Sequence, residues 1–384
     1  MIPFDGLLFF YIVSLLILPI IIMGLKGKKI TNYSMLVNLI MIIMIFSSSK
    51  KQLGQLVIFY ILQLLLVKSY IVIRKRNDSR KILWVMIILS LLPLILVKWG
   101  HVISSQPKGF FGFLGVSYLS FKSLQMLMEI YDELIKEVKI LDFTYFMLFF
   151  PTISSGPIDR SRRFTEDISK PIEKDEYKLL LKEGILKIFL GVLYKFVIGA
   201  LIYSLWMSKI GEDKNLFNIA SYMYAYSFYL FFDFAGYSLM AIGLSYIMGI
   251  KAPDNFNLPF ISKDIKDFWN RWHMSLSFWF RDYFYTRFVM AALKGKWFKS
   301  RYTASYIGFI LIMTTMGIWH GTEIFYIIYG LYQGCLIVLT DYYQRKSKFH
   351  KKNKKKNWYV CLTTFVTFNL VCFGFLIFSG YLFK

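Results

Sequence analysis

Cysteine is scarce in this sequence, which has only 3 among 384 residues. Cys335, Cys361 and Cys372 lie in apolar runs and show neither paired spacing nor a neighbouring histidine. A disulfide framework or a structural zinc site requires such spacing. We therefore exclude both kinds of stabilisation and expect the three cysteines to be small core residues.

Familiar catalytic signatures are missing as well. The chain has no P-loop, no HExxH and no GxSxG motif, which argues against nucleotide-dependent, zincin-type and serine-hydrolase chemistry. The first apolar run is not preceded by a polar n-region or followed by a cleavage site, so we interpret it as a retained membrane span. The remaining chemical candidates are ionisable residues inside apolar segments.

Acidic residues are also few, since the sequence has 23 Asp and Glu and 46 Lys and Arg. The chain is nonetheless 57% hydrophobic, with a mean hydropathy of +0.50, and several uncharged runs approach the roughly 18–20 residues of a spanning helix. The strand alternation of a membrane barrel is not seen. We predict an all-α polytopic membrane protein whose basic excess faces the cytoplasm and anionic lipids, not nucleic acid.

Apolar runs suited to membrane helices recur along the whole chain, and we expect ten to twelve such helices in a single domain, residues 1–384. Basic loops at residues 26–29 and 74–81, together with eight Lys and Arg in residues 345–356, are predicted to be cytoplasmic, which places both termini outside. His101, beside Trp99 and Gly100, is expected at an outer interface. The runs lie at about 7–25, 33–46, 53–73, 82–97, 109–130, 184–206, 216–249, 303–319, 324–339 and 358–380.

Two polar interruptions stand out within these runs. The sequence FFPTISSGPIDRSRRF, residues 149–164, cannot continue as a helix through its two prolines and glycine, so it predicts a re-entrant or interfacial turn. Its arginines either anchor lipid phosphates or take part in catalysis. Asp233 lies in a charge-free run, where a carboxylate is costly unless it is paired or faces a polar cavity. We interpret Asp233 as a structural anchor of such a cavity, not as a proton carrier.

An aromatic-rich stretch follows at residues 268–285, where nine of the 18 residues are aromatic. This density is typical of the membrane–water boundary. Residues 287–301 continue it, with Phe288 and Ala292 in an apolar patch beside Lys294, Lys296 and Lys299. The patch fits either a partner-binding surface or lipid contact, and as a docking surface it would be formed by Val289, Met290 and Leu293.

Two of the four histidines are the strongest candidates for chemistry. His273 and His320 lie 47 residues apart, and a tryptophan precedes each. His320 occurs in the sequence GIWHG, where two glycines suggest a break between membrane helices. A neutral histidine in a dry cavity can accept the proton of an attacking hydroxyl. Glu323, three residues later on the same helical face, would either orient the ring or simply end the helix.

The sequence FDFAGYSLMAIGLSYIMGIKAPDNFNLPFISKDIKDFWNRWHMSLSFWFRDYFY, followed by GIWHG, resembles the membrane-bound O-acyltransferase family over essentially the full length. Within that family the chain is similar to the branch that transfers D-alanine to teichoic acid. The resemblance implies a ring of membrane helices around a central funnel or tunnel. It also implies that His320 is the catalytic histidine and His273 the second residue of the pair.

The implied donor is D-alanine held as a thioester on the phosphopantetheine of a small acidic carrier protein in the cytoplasm. The implied acceptor is an outward-facing hydroxyl, ultimately of lipoteichoic or wall teichoic acid, and other proteins of the D-alanylation system would be partners. A thioester is already activated, so the resemblance implies no tightly bound cofactor and no metal. Three alternatives stay open: an alginate-type polysaccharide O-acetyltransferase, a transporter or flippase, and a non-catalytic envelope scaffold.

Overall fold

A computed structural model describes residues 1–103 and 112–383, without the side chains of His101 and Ile103. Every regular element in these two ranges is helical, which confirms the all-α prediction. The predicted surroundings of His101 and the start of the expected 109–130 helix lie outside the described residues. The described part divides into two compact units, so the single-domain organisation and the central funnel stay predictions.

Eight helices in the described ranges are long and apolar enough to cross a membrane, and two shorter apolar segments, Thr31–Phe46 and Ile140–Thr152, accompany them. The chain is therefore a multi-pass membrane protein. The eight candidate spans are Leu7–Gly24, Lys50–Arg76, Arg80–Gly100, Lys174–Lys209, Leu216–Ile247, Arg301–His320, Ile324–Lys346 and Asn357–Phe378.

The first unit comprises Met1–Val192 and Tyr237–Pro253. Its helices are α1 (Leu7–Gly24), α2 (Thr31–Phe46), α3 (Lys50–Arg76), α4 (Arg80–Ile103), α5 (Val116–Tyr131), α6 (Ile140–Met147), α7 (Ser161–Ser169) and α8 (Lys174–Val192), followed by the last turns of α9 (Leu216–Ile247).

Helix α5 forms the core of this unit, since 13 of its 16 residues are buried. Buried polar side chains cost free energy unless they find partners. Lys122 donates to the Phe146 carbonyl at 3.0 Å, and Gln125 donates to the Asp159 carbonyl at 2.8 Å. These bonds fix the segment between α6 and α7 against α5.

That segment contains a short 3₁₀ turn, Phe150–Thr152, and then runs without helix to Ser161, so its proline-rich sequence does interrupt the helical path. The first turn of α7 carries two arginines that bind carboxylates: Arg162 lies 3.3 Å from Glu129, and Arg163 pairs with Asp159 in the segment and with Asp167. These ion pairs give the segment a structural anchor within the first unit.

The second unit comprises Leu193–Gly236 and Asp254–Lys384. It begins with two π-helical stretches, Leu193–Gly199 and Ile202–Trp206, and a 3₁₀ turn, Met207–Lys209. After the first part of α9 come α10 (Ile265–Trp269), α11 (Met274–Phe280), a π-helical turn (Arg281–Tyr285), α12 (Thr286–Lys294), α13 (Arg301–His320), α14 (Ile324–Lys346), α15 (Lys348–Asn353) and α16 (Asn357–Phe378).

Helices α13 and α14 form a tightly packed hairpin in this unit. A Cβ atom added at Gly317 would lie 2.3 Å from the Tyr326 carbonyl oxygen, and one added at Gly330 would lie 2.4 Å from the Met313 carbonyl oxygen. No real Cβ atom approaches a backbone so closely. Glycine is therefore what lets the two helix backbones touch at both levels.

The prediction for the cysteines is only partly right. Cys372 is buried, but Cys335 and Cys361 are exposed on α14 and α16. Cysteine is apolar enough to face lipid, so an apolar run in a membrane helix does not tell core from lipid-facing positions.

Candidate active site

His273 lies in a sharp turn between α10 and α11. Its backbone is left-handed, with φ 43° and ψ 52°, and its carbonyl oxygen accepts hydrogen bonds from the amides of Leu276 and Ser277. Asn255 holds the turn from outside: its carbonyl accepts from the Met274 amide at 2.9 Å, and its side chain accepts from the Ser275 hydroxyl at 2.6 Å. The turn thus fixes His273 at the start of a helical stretch that continues to Lys294.

The ring of His273 is enclosed by aromatic side chains. It meets the ring of Phe234 edge to face, with centroids 4.7 Å apart, and His273 is only 5% exposed. The preceding residue, Trp272, packs against Phe256 and Phe375 at centroid distances of 5.1 and 4.7 Å. Trp272 therefore fills the core of the second unit beside His273.

His320 is the last residue of α13 and is half-buried. Three rings surround it: Trp319 at 4.7 Å, Phe378 at 4.8 Å and Tyr326 at 5.9 Å between centroids. Tyr326 reaches this position because Gly317 allows α13 and α14 to touch one turn away.

The two histidines lie at the same level of the second unit. Helix α12 connects to α13 through only residues 295–300, a length typical of antiparallel neighbours. Tyr285 stacks on Phe309 at 4.5 Å, and its hydroxyl lies 2.6 Å from that of Ser305. His273 lies 12 residues before Tyr285, and His320 lies 11 residues after Phe309. Antiparallel helices therefore bring both histidines to the same end.

The electrostatics of His273 agree with this placement. Burial lowers the pKa of His273 below its ordinary value, and the charge of nearby His320 lowers it further. His273 also precedes the amino end of a helix, where a cation is disfavoured, whereas His320 ends one, where a cation is favoured. His273 is thus suited to remain neutral.

Asp233 is paired, as a carboxylate in a membrane helix requires. Its partner is Lys195 in the first π-helical stretch, and both side chains belong to the second unit. The next residue, Phe234, contacts His273. Lys195 was not predicted as this partner, although it is the only charged residue in the apolar residues 188–208, and that isolation was an available signal.

The predicted docking residues all lie on α12. Met290 and Leu293 are 65% and 48% exposed, while Val289 is half-buried. The apolar patch was also predicted to include Phe288 and Ala292. Phe288 is half-buried and its ring packs against Trp297, with centroids 6.0 Å apart, but Ala292 is only 2% exposed and does not belong to the patch.

Trp297 also belongs to the exposed patch, which the sequence did not predict. It lies beyond the end of α12, is 58% exposed and folds back so that its amide donates to the Ala292 carbonyl at 3.0 Å. Exposed Lys294, Lys296 and Lys299 surround it. Trp297 reaches the patch because the chain turns back after the end of α12. Helical periodicity does not predict a contact of this kind, so the sequence did not indicate it.

Of the two alternatives for Glu323, the structure agrees with a position at a helix end. Helix α13 ends at His320, the chain is extended at Gly321 (φ 174°), and Glu323 takes the capping position of α14 with its side chain exposed. Glu323 is thus not on the helical face of His320. Helical periodicity stops at a helix end, so three-residue spacing has no meaning across this break.

The family is now clear. The model of MBOAT, the membrane-bound O-acyltransferase family, matches residues 28–383, and the chain belongs to this family. The chain is 48% identical over 389 residues to the "Teichoic acid D-alanyltransferase" of Bacillus subtilis (strain 168), a match that covers 99% of this chain and 98% of the relative.

Two further relatives differ in how much they share. The "Teichoic acid D-alanyltransferase" of Streptococcus thermophilus is 40% identical over 396 residues, which covers 99% of this chain and 95% of that protein. The "Probable alginate O-acetylase" of Pseudomonas syringae pv. tomato is 30% identical over 270 residues, which covers 70% of this chain and 49% of that protein. The similarity to the alginate proteins is therefore partial and more distant.

Proposed function

We propose that this protein is the acyltransferase that moves D-alanine from a carrier-protein thioester to a hydroxyl for D-alanylation of teichoic acid. Near-full-length similarity to two proteins named for that activity supports the substrate. An alginate-type acetyltransferase is less well supported, because the similarity there covers 70% of this chain. The observation that carries the mechanism is the pair of histidines at one end of the antiparallel helices.

In the proposed reaction, His320 is the general base. The acceptor hydroxyl attacks the thioester carbonyl carbon, and its proton passes to the His320 ring as the new C–O bond forms. The C–S bond then breaks, the pantetheine sulfur leaves, and the proton on His320 passes to that sulfur. No proton is gained or lost overall. The carboxyl end of α13 stabilises the imidazolium while it exists.

His273 has a different role in this proposal. Its low pKa keeps it neutral at physiological pH, so it donates or accepts a hydrogen bond without exchanging a proton with the reactants. A ring held by Phe234 in a fixed turn is well suited to orienting the acceptor or the thioester. We therefore assign positioning to His273 and proton transfer to His320.

The carrier protein is proposed to dock on the exposed patch formed by Val289, Met290, Leu293 and Trp297. This patch lies near Arg301, at the opposite end of α13 from His320. The 20 residues of α13 span about 30 Å, close to the thickness of a bilayer core. That separation suits a donor and an acceptor on opposite sides of a membrane.

The orientation follows from the same helices. Arg345 lies over the ring of Tyr302 at 3.7 Å, so the basic residues 345–356 are at the Arg301 end of the hairpin. We propose that this end is cytoplasmic, that Asp233 supports the site structurally, and that the chain works as one domain. The acceptor is then reached from the outer side, where the N-terminus is also proposed to lie.

Transfer by the purified protein tests the proposal. The protein is reconstituted into vesicles that carry lipoteichoic acid as acceptor, D-alanyl-loaded carrier is added, and loss of the thioester and appearance of D-alanyl ester are measured together. His320→Gln should reduce ester formation by about a hundredfold or more, the usual contribution of a general base, without changing the folded yield. His273→Gln, which keeps a hydrogen-bonding group, should retain more activity.

The outcomes separate the assigned roles. Near-normal ester formation by His320→Gln would refute the role of His320 as base. Normal loss of the thioester without ester formation in the parent protein would indicate hydrolysis and refute acyl transfer. Loss of carrier binding in His320→Gln would contradict the separation between docking patch and active site.

A further inference from the structure

A cavity of about 300 Å³ lies in the first unit, where α3 and α5 both end. Its apolar wall includes Ile71 and Ile135, each 8% exposed, and its polar wall contains Arg74, Lys75, Lys136 and Glu133. Three cations face one carboxylate. The cavity therefore combines an apolar side with a net positive side, and it is remote in sequence from both histidines.

The guanidinium of Arg74 is held in a fixed position beside this cavity. Its Nε atom donates to the Tyr131 carbonyl at 3.1 Å, its Nη2 atom lies 2.9 Å from Glu133, and the group lies over the Tyr131 ring at 5.4 Å. Its side chain is only 18% exposed, whereas Lys75 and Lys136 are exposed. One anchored guanidinium and two exposed ammonium groups are a set of donors suited to phosphate oxygens.

The position of the cavity indicates where that phosphate comes from. Helix α3 is a candidate membrane span whose last turn carries Arg74, Lys75 and Arg76. Val72, one turn earlier, is 56% exposed, and Leu134 beyond α5 is 52% exposed. Apolar residues thus reach the surface directly beside the cations. This arrangement is expected where membrane hydrocarbon gives way to headgroups.

The size of the cavity argues against a protein occupant. One turn of an α-helix with its side chains fills about 400–600 Å³, from its diameter and pitch. A cavity of about 300 Å³ is too small for that, but it accommodates a phosphate and its immediate substituents.

We propose that this cavity binds the phosphate headgroup of an anionic phospholipid, with the lipid's acyl chains along the exposed apolar residues of α3. The phosphate takes the place of the Glu133 carboxylate on Arg74 and is also contacted by Lys75 and Lys136. The site is independent of the acyl-transfer reaction. A bound lipid here ties the ends of α3 and α5 to the membrane surface.

Lipid retention by the purified full-length chain tests this site. Native mass spectrometry in neutral detergent compares phosphatidylglycerol with phosphatidylcholine of the same acyl chains, and inorganic phosphate serves as a headgroup without chains. The site variant is Lys75→Gln with Lys136→Gln. The control is Lys351→Gln with Lys355→Gln, which removes the same charge from the strongly basic residues 345–356.

The expected result is specific to the cavity. The parent chain and the control should retain phosphatidylglycerol more tightly than phosphatidylcholine, and the site variant should bind phosphatidylglycerol about tenfold or more weakly, since each cation near an anionic lipid contributes appreciably. Unchanged binding in the site variant, or an equal loss in the control, would overturn the proposal. Inorganic phosphate binding as tightly as phosphatidylglycerol would also overturn it, because the acyl chains would then contribute nothing.

Discussion

The ion pair between Lys195 and Asp233 gives a direct test of what a charge contributes inside this membrane protein. Breaking a fully buried pair costs about 3–5 kcal/mol, whereas an exposed pair contributes about 0–1 kcal/mol. Here the side chains are 23% and 39% exposed, between those limits. We expect Lys195→Met or Asp233→Asn alone to destabilise the protein by about 1–3 kcal/mol, because the remaining charge loses its partner.

The double variant separates the pair from its surroundings. With Lys195→Met and Asp233→Asn combined, no unpaired charge remains, so the loss of stability should be smaller than the sum of the two single effects. Thermal unfolding of the four proteins in one detergent measures this. The control is the exposed pair Lys178 and Asp175, 2.8 Å apart with side chains 51% and 87% exposed, whose neutralisation should have an effect below about 1 kcal/mol.

Two results would refute this reasoning. Strictly additive losses in the double variant would show that Lys195 and Asp233 do not stabilise each other. Normal stability of Asp233→Asn together with lost D-alanyl transfer would place Asp233 among the catalytic groups and not in a structural pair.

Three further predictions concern the docking patch, a titrating group and helix packing. Leu293→Asp should weaken carrier binding at least tenfold in a pull-down with loaded carrier while the protein stays folded, since a 48% exposed leucine loses its apolar contact; binding like the parent would move the docking site elsewhere. The pKa of His273 is lowered on folding, so the unfolded chain binds the extra proton and the free energy of unfolding should fall as pH drops below about 6.5. His273→Gln should flatten the dependence of melting temperature on pH between pH 7.5 and 5.5. An unchanged slope would contradict the shift. Gly317→Ala should destabilise the protein by about 1–3 kcal/mol, because its Cβ would lie 2.3 Å from the Tyr326 carbonyl. The control Gly54→Ala, with no atom within 4 Å of the added Cβ, should be neutral or stabilising in the same thermal unfolding experiment. Equal effects of the two variants would mean that α13 and α14 separate to make room.

Much of this architecture could be predicted because lipid constrains sequence strongly. A spanning segment must satisfy its backbone within a helix and present apolar side chains, so long uncharged runs mark the spans one by one. Isolated ionisable residues in such runs are costly, which made Asp233 and His320 visible in a single sequence. The same reasoning would have found Lys195 had it been applied to residues 188–208. His273 was recognised because a tryptophan precedes it, as one precedes His320.

Errors arose where helical periodicity was extended past a helix end. The alternative that put Glu323 on the face of His320 is wrong, because α13 stops at His320 and the extended backbone of Gly321 redirects the chain. Trp297 was overlooked because it joins the apolar patch only by folding back over Ala292.

Cys335 and Cys361 were assigned to a core although they are exposed. An apolar side chain in a membrane helix can face either lipid or protein. Whether it is buried therefore depends on which helices pack beside it, and the sequence of one helix does not reveal this.

The sequence by itself determined the all-α membrane class and the family, and it singled out His273 and His320 as candidates. Each of these depends on residue type and spacing along one segment. Only the tertiary structure decided that His273 and His320 lie at one level, that the first is buried at the start of a helix and that the second ends another. The physical reason is that local charge and burial depend on which helices pack together, and here close contact at Gly317 and the stacking of Tyr285 on Phe309 set that packing.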